Sequence, residues 1–134
     1  MSQWVAVPLL SALAAAVVGL IAHSHPRLQR AVALAGSAGT LAGGLYLLTR
    51  VLSEGILVLA VGSWPAPFGI VLVADLFSTI MVILGGVVGV ATTLYATASL
   101  DAARERTGYY PLTMVLLAGV TGAFLTGDLF NLYV

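Results

Sequence analysis

The sequence predicts an all-α integral membrane fold: four transmembrane helices and the start of a fifth, with an external β-hairpin between helices 2 and 3. Three observations carry that expectation. Of the 134 residues, 60% are hydrophobic and only 7% are charged, far from the usual composition of a soluble domain. The apolar residues gather into runs close to the ~20 residues that cross a bilayer. No segment shows the alternation of apolar and polar residues that marks a membrane barrel strand.

The first span runs from about Trp4 to Ala22. Its Pro8 stands near the start, where a missing N–H matters least. The preceding residues carry no basic stretch, so this reads as a retained first span and not a cleaved signal. A polar connector, HSHPRLQR at 23–30, leads to a second span at about 31–49. Arg50, Ser53 and Glu54 close that helix. Two short apolar runs, ILVLAVG and FGIVLV, then flank the turn-rich SWPAP, the pattern of a hairpin or extended loop. Asp75 follows, placed to cap a third span at about 76–98. SLDAARERTG, residues 99–108, is a charged connector. The fourth span covers about 109–126, with Pro111 in its first turn, where proline is tolerated. Asp128 opens a fifth helix. The whole of 1–134 reads as one membrane domain.

The arginines orient these spans. Arg27 and Arg30 lie in the first connector and Arg104 and Arg106 in the third, which share one side of the membrane; only Arg50 lies on the other. The positive-inside rule makes those two connectors cytoplasmic and the N-terminus external. Trp4 and Trp64 then fall at the outer boundary, where indole is favoured. The second span carries Ala35, Gly39 and Gly43 at four-residue spacing, with Gly36, Thr40 and Gly44 beside them. Small residues so spaced let helices approach closely, although they are also common in membrane helices generally.

Chemistry-bearing residues are few. Asp75 is either a carboxylate at the mouth of an ion path or a plain helix cap. Asp128 poses the same choice, and Asn131, one turn on, shares its face. His23 and His25 form an H-x-H pair with no third ligand in view, which favours an ordinary turn over a metal site. Asp101, Arg104, Glu105 and Arg106 read as a solvated, self-compensating connector, and Tyr109 and Tyr110 as an interfacial aromatic belt. The chain has no cysteine and no lysine, no phosphate loop and no catalytic triad. Its formal charge is zero, so nothing suggests nucleic acid. No cofactor or metal is expected, and these residues alone do not supply a path across the bilayer.

Three stretches carry a family resemblance: GSWPAPFGIVLVADLFS at 62–78, YYPL at 109–112 and, most specifically, GAFLTGDLFNLYV at 122–134. They resemble the D subunit of Mrp-type sodium/proton antiporters, itself similar to the antiporter-like membrane subunits of respiratory complex I. The resemblance runs along the whole chain. It implies a much larger many-helix protein, a secondary transporter component and not an enzyme, which works with other membrane subunits to exchange Na+ and H+. It also implies a β-hairpin among the external connections. Asp75, Asp128 and Asn131 match polar positions of the family pattern, and Tyr133 stands where phenylalanine is common. The family's catalytic glutamate would fall within about one helical turn past Val134, so none of the residues present is expected to be that group. Two other readings stay open: a structural four-helix accessory protein of a membrane complex, and a membrane component of a redox-driven proton pump of complex I or membrane hydrogenase type.

Overall fold

The computed structural model describes residues 3–64 and 69–133, without the side chains of Ser63, Phe130 and Asn131. A 3-10 turn, Gln3–Ala6, leads into α1, Val7–Ile21. Then come α2, Pro26–Glu54; strand β1, Leu57–Ala60; strand β2, Val71–Ala74; α3, Leu76–Ser99; a short α4, Ala102–Arg106; α5, Tyr109–Leu125; and the start of α6, Leu129–Tyr133. Among the described residues, three stretches are long and apolar enough to cross a membrane: Gln3–Ile21, Pro26–Glu54 and Leu76–Ser99. At 17 residues, α5 rises about 26 Å, slightly less than the ~30 Å hydrocarbon thickness.

The second helix is ten residues longer than the 31–49 that hydrophobicity outlines. Pro26 occupies its first turn, where its fixed φ suits a helix and its missing N–H is no loss. At the far end, Arg50 and Glu54 pair one turn apart, with Nε–Oε1 at 2.9 Å, and prolong the helix past the apolar segment. Gly55 stops it with φ at 84°, a conformation open to glycine at little cost.

α2 is the hub, packed on α1, α3 and α5. Its neighbours come close because side chains are absent at the crossings. A Cβ on Gly36 would collide with the Ala15 side chain of α1, and one on Gly86 of α3 would lie 2.7 Å from Leu41 Cα. The buried stripe of α2 is Gly36, Thr40, Gly43 and Gly44, while Ala35 faces outward. Hydroxyls bind the same seams: Ser37 and Thr93 share a hydrogen bond of 3.3 Å, and Ser11 and Thr40 one of 3.2 Å. Each hydroxyl also lies within hydrogen-bond distance of a backbone carbonyl, as Ser37 Oγ does of Ala33 O at 2.7 Å, so these four hydroxyls are not stranded among apolar groups.

Among the described residues, two buried clusters divide the interior. Ala12, Ala15, Ala33, Ala96, Tyr110 and Met114 fill the end nearer the charged connectors. Val5, Leu47, Leu57, Leu72, Val82 and Leu125 fill the end nearer the hairpin. The outer faces remain apolar: Ile21 is 80% exposed, Val88 62% and Leu116 67%. A water-soluble monomer rarely shows so continuous an apolar surface, and lipid is the solvent that suits it.

The hairpin expected between the second and third spans is present as an antiparallel pair, Leu57 opposite Ala74 through Ala60 opposite Val71. Val61 N donates to Ile70 O at 2.8 Å just beyond the strands. Pro65–Phe68, which include most of the expected SWPAP turn, lie outside the described residues.

Candidate functional site

The charged residues collect at the two ends of the helix bundle. At the hairpin end, Asp75 follows directly on β2 and caps α3. Its Oδ1 accepts from Ser78 N at 2.7 Å, and Ser78 Oγ accepts from Asp75 N at 2.8 Å. This reciprocal capping box satisfies one donor inside the helix and one outside it. The backbone N–H of Ser78 is the main reason that the Asp75 carboxyl is held below its ordinary value of 3.8, against an opposing effect of burial. Of the two roles left open for Asp75, the structure thus displays the cap.

Asp128 stands at the break between α5 and α6. The chain leaves α5 at Leu125, runs extended through Thr126 and enters α6 at Leu129. The break leans on β2: Gly127 N donates to Val71 O at 2.9 Å, and Thr126 forms a bridge with Leu72. Irregular backbone is tolerated in a membrane protein where other protein groups satisfy it. Gly127 is required by space, since a Cβ there would lie 2.5 Å from Val73 Cγ2. Asp128 O accepts from Leu132 N at 2.9 Å, which starts α6, and from Thr126 Oγ1 at 3.2 Å. Asp75 and Asp128 are therefore attached to opposite ends of one strand, with about 10 Å of β2 between their anchors, Ala74 and Val71. The backbone of Asn131 lies in α6, but its side chain is outside the described atoms.

The opposite end holds a cluster that the sequence does not announce. Glu105, expected in a solvated connector, is 3% exposed. Its carboxylate accepts two parallel bonds from Arg30, Nε to Oε1 and Nη2 to Oε2, both 2.8 Å. The Tyr110 hydroxyl donates to Oε1 at 3.1 Å. The planar guanidinium fork matches a carboxylate, which makes this the strong form of ion pair. The connector is thus compensated across the bundle, by the helix after the first connector, and not by its own Arg104 and Arg106. One signal points this way: two connectors separated by an even number of spans meet at one end, so an acid in one can answer a base in the other. Beside this cluster, buried Gln29 donates from Nε2 to Gly19 O at 2.8 Å, capping a carbonyl in the last turn of α1.

His25 Nδ1 lies 3.0 Å from Ser24 Oγ in an exposed turn. Among the described residues, no group of three or more His, Cys, Asp or Glu side chains is arranged to hold a metal.

Apolar helices with polar caps at both ends, few charges and small-residue crossings define a multi-pass membrane protein. Comparison with known proteins narrows the class. The chain is 46% identical over 134 residues to the D subunit of the Na(+)/H(+) antiporter of Alkalihalophilus pseudofirmus, covering 100% of this chain and 27% of that protein. It is 37% identical over 133 residues to the N subunit of the NADH-quinone oxidoreductase of Desulforudis audaxviator, covering 97% of this chain and 26% of that one. A chain in the solved Mrp complex from Dietzia sp. DQ12-45-1b superposes with a TM-score of 0.82 at 29% identity, over 99% of this chain and 25% of that chain. No family model matches. The chain spans about a quarter of the length of these relatives, and along its whole length it is similar to the D subunit of an Mrp-type antiporter.

Proposed function

We propose that the chain forms the N-terminal membrane helices of a monovalent cation/proton antiporter of the Mrp D type, which works within a multi-subunit membrane complex. The observation that carries this reading is the match to the antiporter's D subunit along the full 134 residues at 46% identity. In this reading 1–134 is a single membrane domain and α5 is a fourth span. The hairpin and N-terminus face outward, and the connectors bearing Arg27, Arg30, Arg104 and Arg106 face the cytoplasm. Edge-on contact of Trp4 with Tyr46, ring centroids 5.2 Å apart, supports an interfacial belt at the hairpin end. Asp128, at the break before α6, and Asn131, on α6, remain the ion-path candidates. Asp75 is a weaker one, because its capping box already accounts for an acid there.

The similarity to a quinone oxidoreductase component favours a second reading, a redox-driven proton pump. Vesicles containing the full-length protein in its complex separate the two. Antiport gives sodium-dependent proton flux under an imposed gradient alone; flux that appears only with an electron donor selects the pump. Asp128→Asn should assemble normally on a native gel yet slow the exchange. Full exchange in Asp128→Asn together with lost assembly in Asp128→Ala would reduce Asp128 to a cap. For topology, single cysteines in place of Ser24 and Thr107, both exposed, should resist an impermeant thiol reagent in intact cells, while one in place of Trp64 should react.

A further inference from the structure

The connector end carries a feature that ion exchange does not use. Between the end of α3, the short α4 and the start of α5 lies an open groove of about 470 Å³, whose walls include Leu100, Arg104, Thr107, Tyr109, Leu112 and Leu116. Its chemistry changes with depth. Arg104 and Thr107 form a polar head, Tyr109 stands at the first residue of α5, and Leu112 and Leu116 continue down one face of that helix. Both leucines are highly exposed, at 65% and 67%. From Tyr109 to Leu116 the helix rises about 10 Å, enough to pass from the headgroup region into the apolar layer.

Arg104 is available to a ligand. Its backbone N–H is taken by Asp101 Oδ1 at 2.9 Å, but among the described residues its guanidinium makes no hydrogen bond or ion pair. The neighbouring acid, Glu105, is already committed to Arg30. Arg27, Arg30, Arg104 and Arg106 outnumber Asp101 and Glu105 at this end, so the local field favours an anion.

We propose that this groove holds one anionic phospholipid, its phosphate on Arg104, its glycerol region beside Thr107 and Tyr109, and an acyl chain along Leu112 and Leu116. A free phosphate would leave the leucine half of the groove unused, and a zwitterionic lipid, although its phosphate can reach Arg104, brings a cation of its own that offsets the attraction of this arginine-rich end. The inference rests on the membrane-spanning reading but not on antiport, because lipid retention and cation flux are separate measurements.

The test uses the full-length protein in its complex, stripped of lipid in detergent. It is then exposed to phosphatidylglycerol or phosphatidylcholine and weighed intact by native mass spectrometry. The expected result is one retained phosphatidylglycerol per copy, with phosphatidylcholine retained at least about fivefold less, the effect of one arginine at a membrane surface. Arg104→Gln should lose that preference and Leu112→Trp should block the groove, while Arg106→Gln keeps the lipid. Assembly on a native gel should be unchanged throughout, since the substituted side chains are exposed. Equal retention of the two lipids, undiminished phosphatidylglycerol on Arg104→Gln, or displacement of the lipid by inorganic phosphate would each overturn the proposal. So would a photo-crosslinker at Leu112 that captures only a neighbouring protein helix.

Discussion

At the connector end of the bundle, Arg30 and Tyr110 reach Glu105 with their side chains; at the hairpin end, Gly127 reaches Val71 with its backbone. The first contact depends on residue identity at three positions far apart in the chain. The second depends on a strand edge and on the absence of a side chain at Gly127. Each end meets the same need, that polar groups near lipid be satisfied by protein, but with different tolerance for substitution. The connector end should be brittle to the loss of one side chain. The hairpin end should accept many side chains and resist mainly bulk or lost caps.

The sharpest way to break that contrast is Glu105→Ala. It removes the acceptor of three hydrogen bonds and leaves the Tyr110 hydroxyl, on a residue 1% exposed, with no partner, a cost of about 1–3 kcal/mol from that donor alone. Denaturant titration of the full-length protein in detergent should show it. Tyr110→Phe removes the donor and leaves the ion pair, so it should cost clearly less; an equal loss in the two variants would mean that the pair itself contributes nothing.

Asp75→Ala comes next. Losing the capping box should cost about 0.5–2 kcal/mol, whereas Asp75→Asn should cost a few tenths, because asparagine caps nearly as well. If Asn proved as damaging as Ala, charge and not capping would be the requirement. The same residue gives a smaller, pH-dependent effect. Its folded-state value is depressed, so its stabilisation is complete above the ordinary value of 3.8 and is lost as pH falls through the lower folded value. The stability gap between wild type and Asp75→Asn should therefore close below about pH 4. A gap that widens in acid would contradict the assigned cause. Smallest of all should be Asp101→Asn, which preserves an exposed cap on Arg104 N and should leave stability within about 0.5 kcal/mol.

The two ends are not equally legible in the sequence. The hairpin can be read from two apolar runs around a proline-rich turn, and the Asp75 cap from an acid before a long apolar segment, because both signals are local. The short α4 also has a local signal, Asp101 three residues before Arg104, but it is submerged in a charged stretch. Apolar content alone makes α2 too short, because a proline start and an Arg50–Glu54 pair extend it with polar residues. The Glu105 cluster is not legible in the same sense. Each of its members is ordinary in its own segment, and only the number of intervening spans brings them to one end. Asp128 stands out in the sequence as a residue at a helix break; that the break rests on β2 depends on tertiary pairing that no spacing reveals.

The Arg30–Glu105 pair also has a history in time. Its members are 75 residues apart in the chain, so at ~5–20 residues per second of synthesis Arg30 waits about 4–15 s for its acid. During that wait α2 is completed and α3 is made, and the guanidinium must be held by water or lipid headgroups. Glu105 reaches it only if α3 has inserted in the sense that returns the chain to the starting side. A reversed third helix would deliver the acid to the wrong face and leave the arginine unanswered. The pair can thus close only when the first three helices stand in that order and direction.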